Sequence, residues 1–185
     1  MGQRGKRKQR RSVPGEVRRG YAPEMQLRPA VPADAPQIAA IYYHTIHTVN
    51  AVDYTAAQRE AWAPEGTLDP TGWRMKQHNR FTLVAERAGQ LLGFGELLPH
   101  GHVDCFYVHH QHQRQGVGRA ILAGLEAEAE RLGLRRLDLE ASITAKPFFE
   151  ACGWRTLAQQ QVERRGQLLT NFRMEKELPG AAGAT

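Results

Sequence analysis

The chain has 185 residues and a formal net charge of +6. No apolar run approaches the roughly 18 residues of a membrane span, and the N-terminus lacks the apolar segment of a secretory signal. Two cysteines are too few for a disulfide scaffold, so we expect reduced thiols and a cytoplasmic protein. Residues 1–20 carry a net charge of +7, which leaves −1 for the rest of the chain. A nucleic-acid partner is therefore expected only through this segment.

The first 22 residues combine dense positive charge with almost no apolar periodicity, so they cannot bury enough surface to offset the entropy of ordering. We predict a basic disordered tail over 1–22, one folded domain over 23–178 and a flexible C-terminus over 179–185. Met25 immediately precedes the first folding signal, so a start codon placed too far upstream would also give residues 1–24 this pattern.

The N-terminal half of the predicted domain combines a short strand, helices and a hairpin. Residues 25–28 have the pattern of a strand, and Asp34 is placed to cap a helix with Pro36 in its first turn. Two more helices and three strands follow, the first two strands joined by a turn at Ala88-Gly89-Gln90. The predicted ranges are 55–62 and 73–77 for the helices and 81–86, 91–98 and 102–108 for the strands.

In the C-terminal half, apolar residues repeat at helical spacing over 117–132, and Gly133 is a favourable helix terminator. Alternating apolar residues predict a strand over 137–141. A short helix over 145–151 and two strands over 156–163 and 167–175 complete the domain. This order predicts an α/β fold of the α+β type, with a mixed, mostly antiparallel sheet of about seven strands flanked by about four helices.

The most informative segment is Gln113-Arg-Gln-Gly116-Val-Gly118-Arg119, between a predicted strand and a predicted helix. The two glycines let the backbone present successive N–H groups at a helix N-terminus, which is an anion site suited to a pyrophosphate. Arg114 and Arg119 add positive charge. No Lys-Ser/Thr pair follows, and G-x-G-x-x-G is not met, so neither a nucleotide P-loop nor a dinucleotide fold is indicated.

At these residues the sequence resembles the GNAT superfamily of acyl-CoA-dependent N-acyltransferases. Gln113, Gly116 and Gly118 meet the family signature Gln/Arg-x-x-Gly-x-Gly/Ala. A second motif, Ala-x-x-Phe-Tyr-x-x-x-Gly-Phe, is approximated from Ala145 to Trp154. The similarity covers about residues 26–177. It implies an N-acetyltransferase domain over 23–178 with a sheet splayed in the middle, acetyl-CoA as donor, a small-molecule or protein amine as acceptor, and in many members a homodimer.

The resemblance also implies where the donor binds. The strand before the loop is expected to part from the strand beginning near Trp154, and the pantetheine arm enters that gap. Ser142 occupies a position where the family often has Asn, and Phe149 one where it often has a proton-donating Tyr, for which Tyr107 or water would substitute. Lys146 either reaches the phosphates or is simply solvated. The residues expected to bind the cofactor are Phe106, Tyr107, Val108, Gln113, Arg114, Gln115, Gly116, Val117, Gly118, Arg119, Ser142, Lys146 and Phe149.

The catalytic base is expected on the strand before the loop. Family members carry a Glu or His there, at positions that correspond to His102 and Asp104. Residues two apart on a strand share a face, so we predict that His102 and Asp104 act together, with Asp104 orienting the imidazole. Glu96, on the preceding strand, is a third candidate.

Other features leave alternatives open. Five histidines between His100 and His112 suggest zinc, but their spacing does not complete a tetrahedral ligand set, and we expect no metal. Aromatic residues in the first helices form either core or a wall for an ammonium substrate. Three functions remain: an N-acetyltransferase acting on a primary amine, a CoA-binding module with impaired catalysis, and a nucleic-acid-associated protein acting through 1–22. The residues of the first helices that form either core or substrate wall are Tyr42, Tyr43, His44, His47, Trp62 and Trp73.

Overall fold

A computed structural model of the chain describes residues 24–179. The predicted basic tail over 1–22 and residues 180–185 of the predicted flexible C-terminus lie outside the described residues. Within residues 24–179 no helix is both long and apolar enough to cross a membrane.

The described part contains seven strands and five α-helices, in an order that confirms the predicted one. Helix α2 begins with a capping box, in which the Thr55 hydroxyl accepts from the Gln58 N–H (3.2 Å) and the Gln58 side chain accepts from the Thr55 N–H (2.9 Å). Helix α3 begins three residues earlier than predicted, because Asp69 caps it and Pro70 suits a first helical position. The elements are β1 (Gln26–Pro29), α1 (Ala35–Thr48), α2 (Ala56–Trp62), α3 (Pro70–Lys76), β2 (Phe81–Arg87), β3 (Gln90–Leu97), β4 (His102–Val108), α4 (Val117–Arg131), β5 (Arg136–Ser142), α5 (Lys146–Glu150), β6 (Arg155–Arg164) and β7 (Gln167–Glu177).

The seven strands form one mixed sheet in the order β1-β2-β3-β4-β5-β7-β6. Only β4 and β5 are parallel, and all other neighbours are antiparallel. The parallel pair is short: His102 pairs with Asp138 and Val103 pairs with Leu139, and beyond these pairs the two strands part. The predicted splay is therefore present, between β4 and β5.

The prediction that β4 parts from the strand beginning near Trp154 is wrong. That strand is β6, which lies at the edge of the sheet, because β7 pairs with β5 along the whole of β5. The β6–β7 hairpin thus places the strand later in sequence next to the cleft.

Strand β4 contains a β-bulge. Gly95 of β3 pairs with Phe106, whereas Leu97 pairs with Val103, so β4 has one residue more than β3 across this interval. Val103 and Phe106 consequently both contact the core on one side of the sheet. The bulge interrupts the alternation on which the predicted partnership of His102 with Asp104 depends.

Two hydrophobic cores cover the two faces of the sheet. One lies under α4 and α5, and the other lies under α1 and α3. Strand β5 directs its apolar residues toward the α4 core and leaves three charged residues exposed on its opposite face. These exposed residues are Arg136, Asp138 and Glu140.

Candidate active site

A cleft of about 850 Å³ lies where β4 and β5 part, and residues of α1, α2, α4 and α5 complete its wall. Eleven of the fifteen predicted site residues line it, and four do not: His102, Gln115, Val117 and Lys146. The eleven are Asp104, Phe106, Tyr107, Val108, Gln113, Arg114, Gly116, Gly118, Arg119, Ser142 and Phe149.

At one end of the cleft, the loop before α4 forms a concave surface of main-chain groups. Arg114 (φ +61°) and Gly116 (φ +83°) both have left-handed backbone conformations. Gly116 is the N-cap of α4, a helix of 15 residues, so several unpaired N–H groups and the positive end of the helix dipole lie together. Such an arrangement binds phosphate groups, and the cleft-lining Arg114 and Arg119 add charge.

The carbonyl of Val108 fixes this loop to the end of β4. It accepts from Nε2 of Gln113 (2.6 Å) and from the hydroxyl of Thr45 (3.1 Å). A carbonyl oxygen has two lone pairs, so both acceptor positions of Val108 are used inside the protein. The main-chain contact predicted between Val108 and the cofactor therefore cannot use this carbonyl oxygen. On the cleft side, residues 104–108 have no β5 partner.

Asn50 enters the cleft wall from a turn of 3₁₀ helix, Val49–Val52, and sequence reasoning missed it. Its side chain is buried and donates to the hydroxyls of Ser142 (3.4 Å) and Thr144 (3.3 Å). Ser142 also accepts from the Ala145 N–H (3.0 Å), which leaves its own proton free to donate. No spacing in the sequence connects Asn50 with a segment that lies more than 90 residues away.

Two more side chains follow Asn50 across the gap between the two halves of the sheet. The Tyr54 hydroxyl donates to the Thr170 carbonyl (2.6 Å) and accepts from the Ile143 N–H (2.9 Å). Gln58 Nε2 donates to the Leu168 carbonyl (2.7 Å). We call Asn50, Tyr54 and Gln58 the bridging residues.

Asp104 lies at the bulge and is bound by an arginine that sequence reasoning also missed. Arg80 pairs with Asp104 and with Glu96 (2.9 Å), and the Glu96 side chain is only 1% exposed. Burial raises the pKa of Glu96, and the Arg80 guanidinium opposes that shift. Glu96, Asp104 and Cys105 have their donor atoms within 4.8 Å of one another, but Arg80 already bonds both carboxylates.

His102 is bonded to Asp138, so the predicted partnership with Asp104 is wrong. Nδ1 of His102 lies 2.6 Å from Oδ2 of Asp138, its neighbour on β5. The bulge turns Asp104 toward Arg80. His102 lines a second, smaller cavity of about 280 Å³, which shares Leu139 and Glu140 with the cleft.

The remaining predicted residues have structural contacts. Phe149 is buried against Phe106, with ring centroids 5.3 Å apart, and it has no hydroxyl to donate. Lys146 pairs with Glu150 (2.6 Å). The Gln115 side chain donates to the Gln111 carbonyl, and Val117 is buried in the α4 core.

The aromatic residues of the first helices divide between core and cleft. Tyr42 packs against Trp73 (5.0 Å) and Tyr107 (4.9 Å) in the α1 core, as the core interpretation predicts. Trp62, in contrast, lines the cleft. Tyr43 lies against His47, and His44 approaches His110 with ring centroids 6.0 Å apart.

Comparisons with known proteins agree with this geometry. The family model described as an acetyltransferase (GNAT) domain matches residues 50–178. An uncharacterized N-acetyltransferase of Escherichia coli, YafP, is 36% identical over 151 residues, covering 81% of this chain and 94% of the relative.

Solved structures extend the comparison. A GCN5-related N-acetyltransferase from Rhodopseudomonas palustris has 33% identity and a TM-score of 0.78, covering 85% of this chain and 97% of that one. The structure of yncA from Salmonella typhimurium with its cofactor acetyl-CoA has 22% identity and a TM-score of 0.65, covering 88% and 98%, and it shares the fold.

Proposed function

Because the chain belongs to the GNAT acetyltransferase family, we propose that it transfers the acetyl group of acetyl-CoA to a primary amine within a ternary complex. One observation carries this proposal. A single cleft joins an anion-binding loop, an unpaired strand edge and a charged end that holds Asp104. The three parts match the three parts of the reaction: a pyrophosphate, an extended amide-containing arm and an amine.

The residues of the cleft fit acetyl-CoA. The amides of residues 115–119, with Arg114 and Arg119, would hold the pyrophosphate. The free edge of β4 around Phe106 would hold the pantetheine amides, as another strand would, and the Ser142 hydroxyl is available as a donor. When bound, acetyl-CoA supplies a thioester whose C–S bond breaks as the amine forms its N–C bond, giving the N-acetylated amine and the CoA thiolate.

The protein must remove a proton from the acceptor. An ammonium with a pKa of about 10.4 costs roughly 4.6 kcal/mol to deprotonate at pH 7. His102 suits this role, because its bond to Asp138 through Nδ1 leaves Nε2 to accept the proton. Asp138 would fix the ring orientation and stabilise the imidazolium, as the carboxylate of a catalytic triad does.

Asp104 has a different role in this proposal. Arg80 pairs with it, so its carboxylate is held in place in the wall of the cleft. A fixed negative charge at this point attracts an ammonium and orients it before the proton leaves. Glu96 is too buried to contact a substrate and acts through Arg80.

The leaving thiolate does not require a tyrosine. A CoA thiol resembles the cysteine side chain, whose pKa is about 8.5, so it leaves without a strong acid. Phe149 then contributes an apolar wall near the reacting atoms, and water or the Tyr107 hydroxyl supplies the proton. Burial raises the pKa of the Tyr107 hydroxyl well above its usual value, which makes it a weaker acid, so water is the better donor.

Thiol release tests the proposal. The full chain is incubated with acetyl-CoA and a panel of primary amines, free CoA is followed with a thiol reagent, and the N-acetyl product is identified by mass spectrometry. We expect amine-dependent release above the slow hydrolysis of acetyl-CoA. If CoA binds tightly by calorimetry and no amine is acetylated, the chain is instead a CoA-binding module. The phenylalanine at position 149, where the family often has a tyrosine, favours this alternative.

A further inference from the structure

The second cavity lies on the uncovered face of β5 and adjoins the cleft through Leu139 and Glu140. His102 is in its wall. If His102 accepts the proton of the acceptor, the remaining atoms of the acceptor must lie close to this cavity. The inference that follows rests on the proposed function in this one respect.

The size of the cavity suits a small acceptor. Its volume of about 280 Å³ corresponds to about nine water molecules at their liquid volume. A small molecule of amino-acid size fits this space. The cavity is open to solvent on one side, so an acceptor of this size can enter it directly.

Most of the charged side chains that line the cavity have a hydrogen-bond or ion-pair partner, but one does not. Asp138 is bonded to His102, and Glu175 is bonded to Arg155 and lies 3.8 Å from Arg136. Both oxygens of Glu140 accept from side-chain amides, those of Gln160 (2.8 Å) and Asn171 (3.2 Å). Arg173 also lines the cavity, yet it forms no ion pair with any residue in the described range 24–179.

Arg173 lies opposite Glu140 in the sheet and on the same face as Asp138, the carboxylate that holds the proposed base. Asp138 lies opposite Glu175, so Arg173 of β7 is its diagonal neighbour on the same face. Diagonal neighbours in an antiparallel pair are about 7–8 Å apart. His102 lies one strand beyond Asp138, so a group held by the long Arg173 side chain and an amine at His102 would be joined by a short chain of bonds.

We propose that the second cavity is the acceptor subsite and that Arg173 selects amines carrying a carboxylate a few bonds from the nitrogen, such as amino acids. A guanidinium binds a carboxylate through two parallel hydrogen bonds, which a carboxamide cannot replace. The amine end lies at His102, and Arg173 receives the carboxylate end.

Matched pairs of acceptors test this assignment. The panel contains glycine, β-alanine, 4-aminobutyrate and the common α-amino acids, each beside its carboxamide. For the best acceptor we expect kcat/KM to be about tenfold or more higher than for its carboxamide. Arg173→Gln should remove this difference by raising KM for the carboxylate while leaving the carboxamide unchanged.

The control is Arg164→Gln, an exposed arginine of β6 that does not line the cavity and should leave the preference intact. Equal turnover of acids and carboxamides by the unmodified chain would overturn the inference while leaving acetyl transfer in place. An equal loss for both by Arg173→Gln would assign that arginine a structural role.

Binding measured without turnover separates the two proposals. Calorimetry of each pair on the protein saturated with CoA reports the preference even if no acetyl group is transferred. Preference for the carboxylate member that disappears in Arg173→Gln supports the subsite, and absence of binding by every carboxylate in the panel contradicts it.

Discussion

The cleft and the second cavity share strand β5 but are built in different ways. The cleft end that suits phosphate consists of main-chain groups from consecutive residues, with Gly116 and Arg114 in left-handed conformations. The second cavity consists of charged side chains from strands far apart in the chain, among them His102, Asp138 and Arg173. Main-chain recognition suits a ligand part that never changes, and side-chain recognition suits a part that differs from one enzyme to another.

Substitution of the proposed base has the largest expected effect and tests whether the two regions are separable. His102→Gln should lower kcat by about 10²- to 10⁴-fold, because proton removal loses its acceptor. The dissociation constant for CoA, measured by calorimetry, should be unchanged, since His102 does not line the cleft. Asp138→Asn should give a smaller fall in kcat. If His102→Gln keeps the kcat of the unmodified chain, the proton is removed by a group that lines the cleft and not by His102.

Loss of Arg80 should destabilise the protein next to the cleft, which Asp104 lines. Arg80→Met leaves the buried carboxylate of Glu96 without its partner, which costs about 3–5 kcal/mol in the free energy of unfolding. Because burial raises the pKa of Glu96, this destabilisation should be smallest at low pH and grow as pH rises through the folded-state pKa. Urea unfolding between pH 5 and pH 8 measures it.

Two variants control the Arg80 experiment. Arg80→Met combined with Glu96→Gln should recover part of the lost stability, because no unpaired charge is then buried. Arg131→Met removes an exposed arginine that pairs with Glu128 and should leave stability close to that of the unmodified chain. A pH-independent loss in Arg80→Met would contradict the role assigned to Glu96.

Narrowing the cleft should lower only the affinity for CoA. A Cβ atom at Gly118 would lie 3.2 Å from Cζ of Phe148, so the side chain of Gly118→Val would press into the cleft wall. We expect the affinity for CoA to fall about tenfold. Calorimetry measures it, and Gly72→Ala is the control because nothing lies within 4 Å of a Cβ there. Unchanged affinity in Gly118→Val would place the cofactor elsewhere.

The last expected effect is on stability alone and lies outside both regions. Asp34 accepts from Arg28 (2.7 and 2.9 Å) and from the Val31 N–H, and the Arg28 bonds lower its pKa. Asp34→Asn should cost about 1.5 kcal/mol at pH 7. The depressed pKa stabilises the fold above the unfolded-state value of about 3.9 and is lost as pH falls, so the variant should show a flatter stability curve under acidic conditions. Thermal unfolding measures this, and kcat should not change.

The sequence predicted the main-chain part of the site better than the side-chain part. The loop over 113–119 is local, so its glycines and its place before a helix are visible in the sequence. Asn50, Arg80 and Asp138 reach the site from elements distant in the chain, and their contacts depend on strand order. The pairing of His102 with Asp104 failed for a related reason, because a one-residue bulge in β4 breaks the alternation on which it relied.

The shortness of the β4–β5 pairing has a mechanical consequence. The sheet consists of two halves, β1–β4 and β5–β7, which are joined by only two residue pairs, His102–Asp138 and Val103–Leu139. These two pairs alone do not fix the angle between the halves. The core under α4, which contacts both halves, does so together with the bridging residues, which hydrogen-bond to Ser142, Ile143, Thr170 and Leu168 in and beside the second half. Because the gap between β4 and β5 is already open, no binding free energy is spent on separating the strands when the pantetheine arm enters.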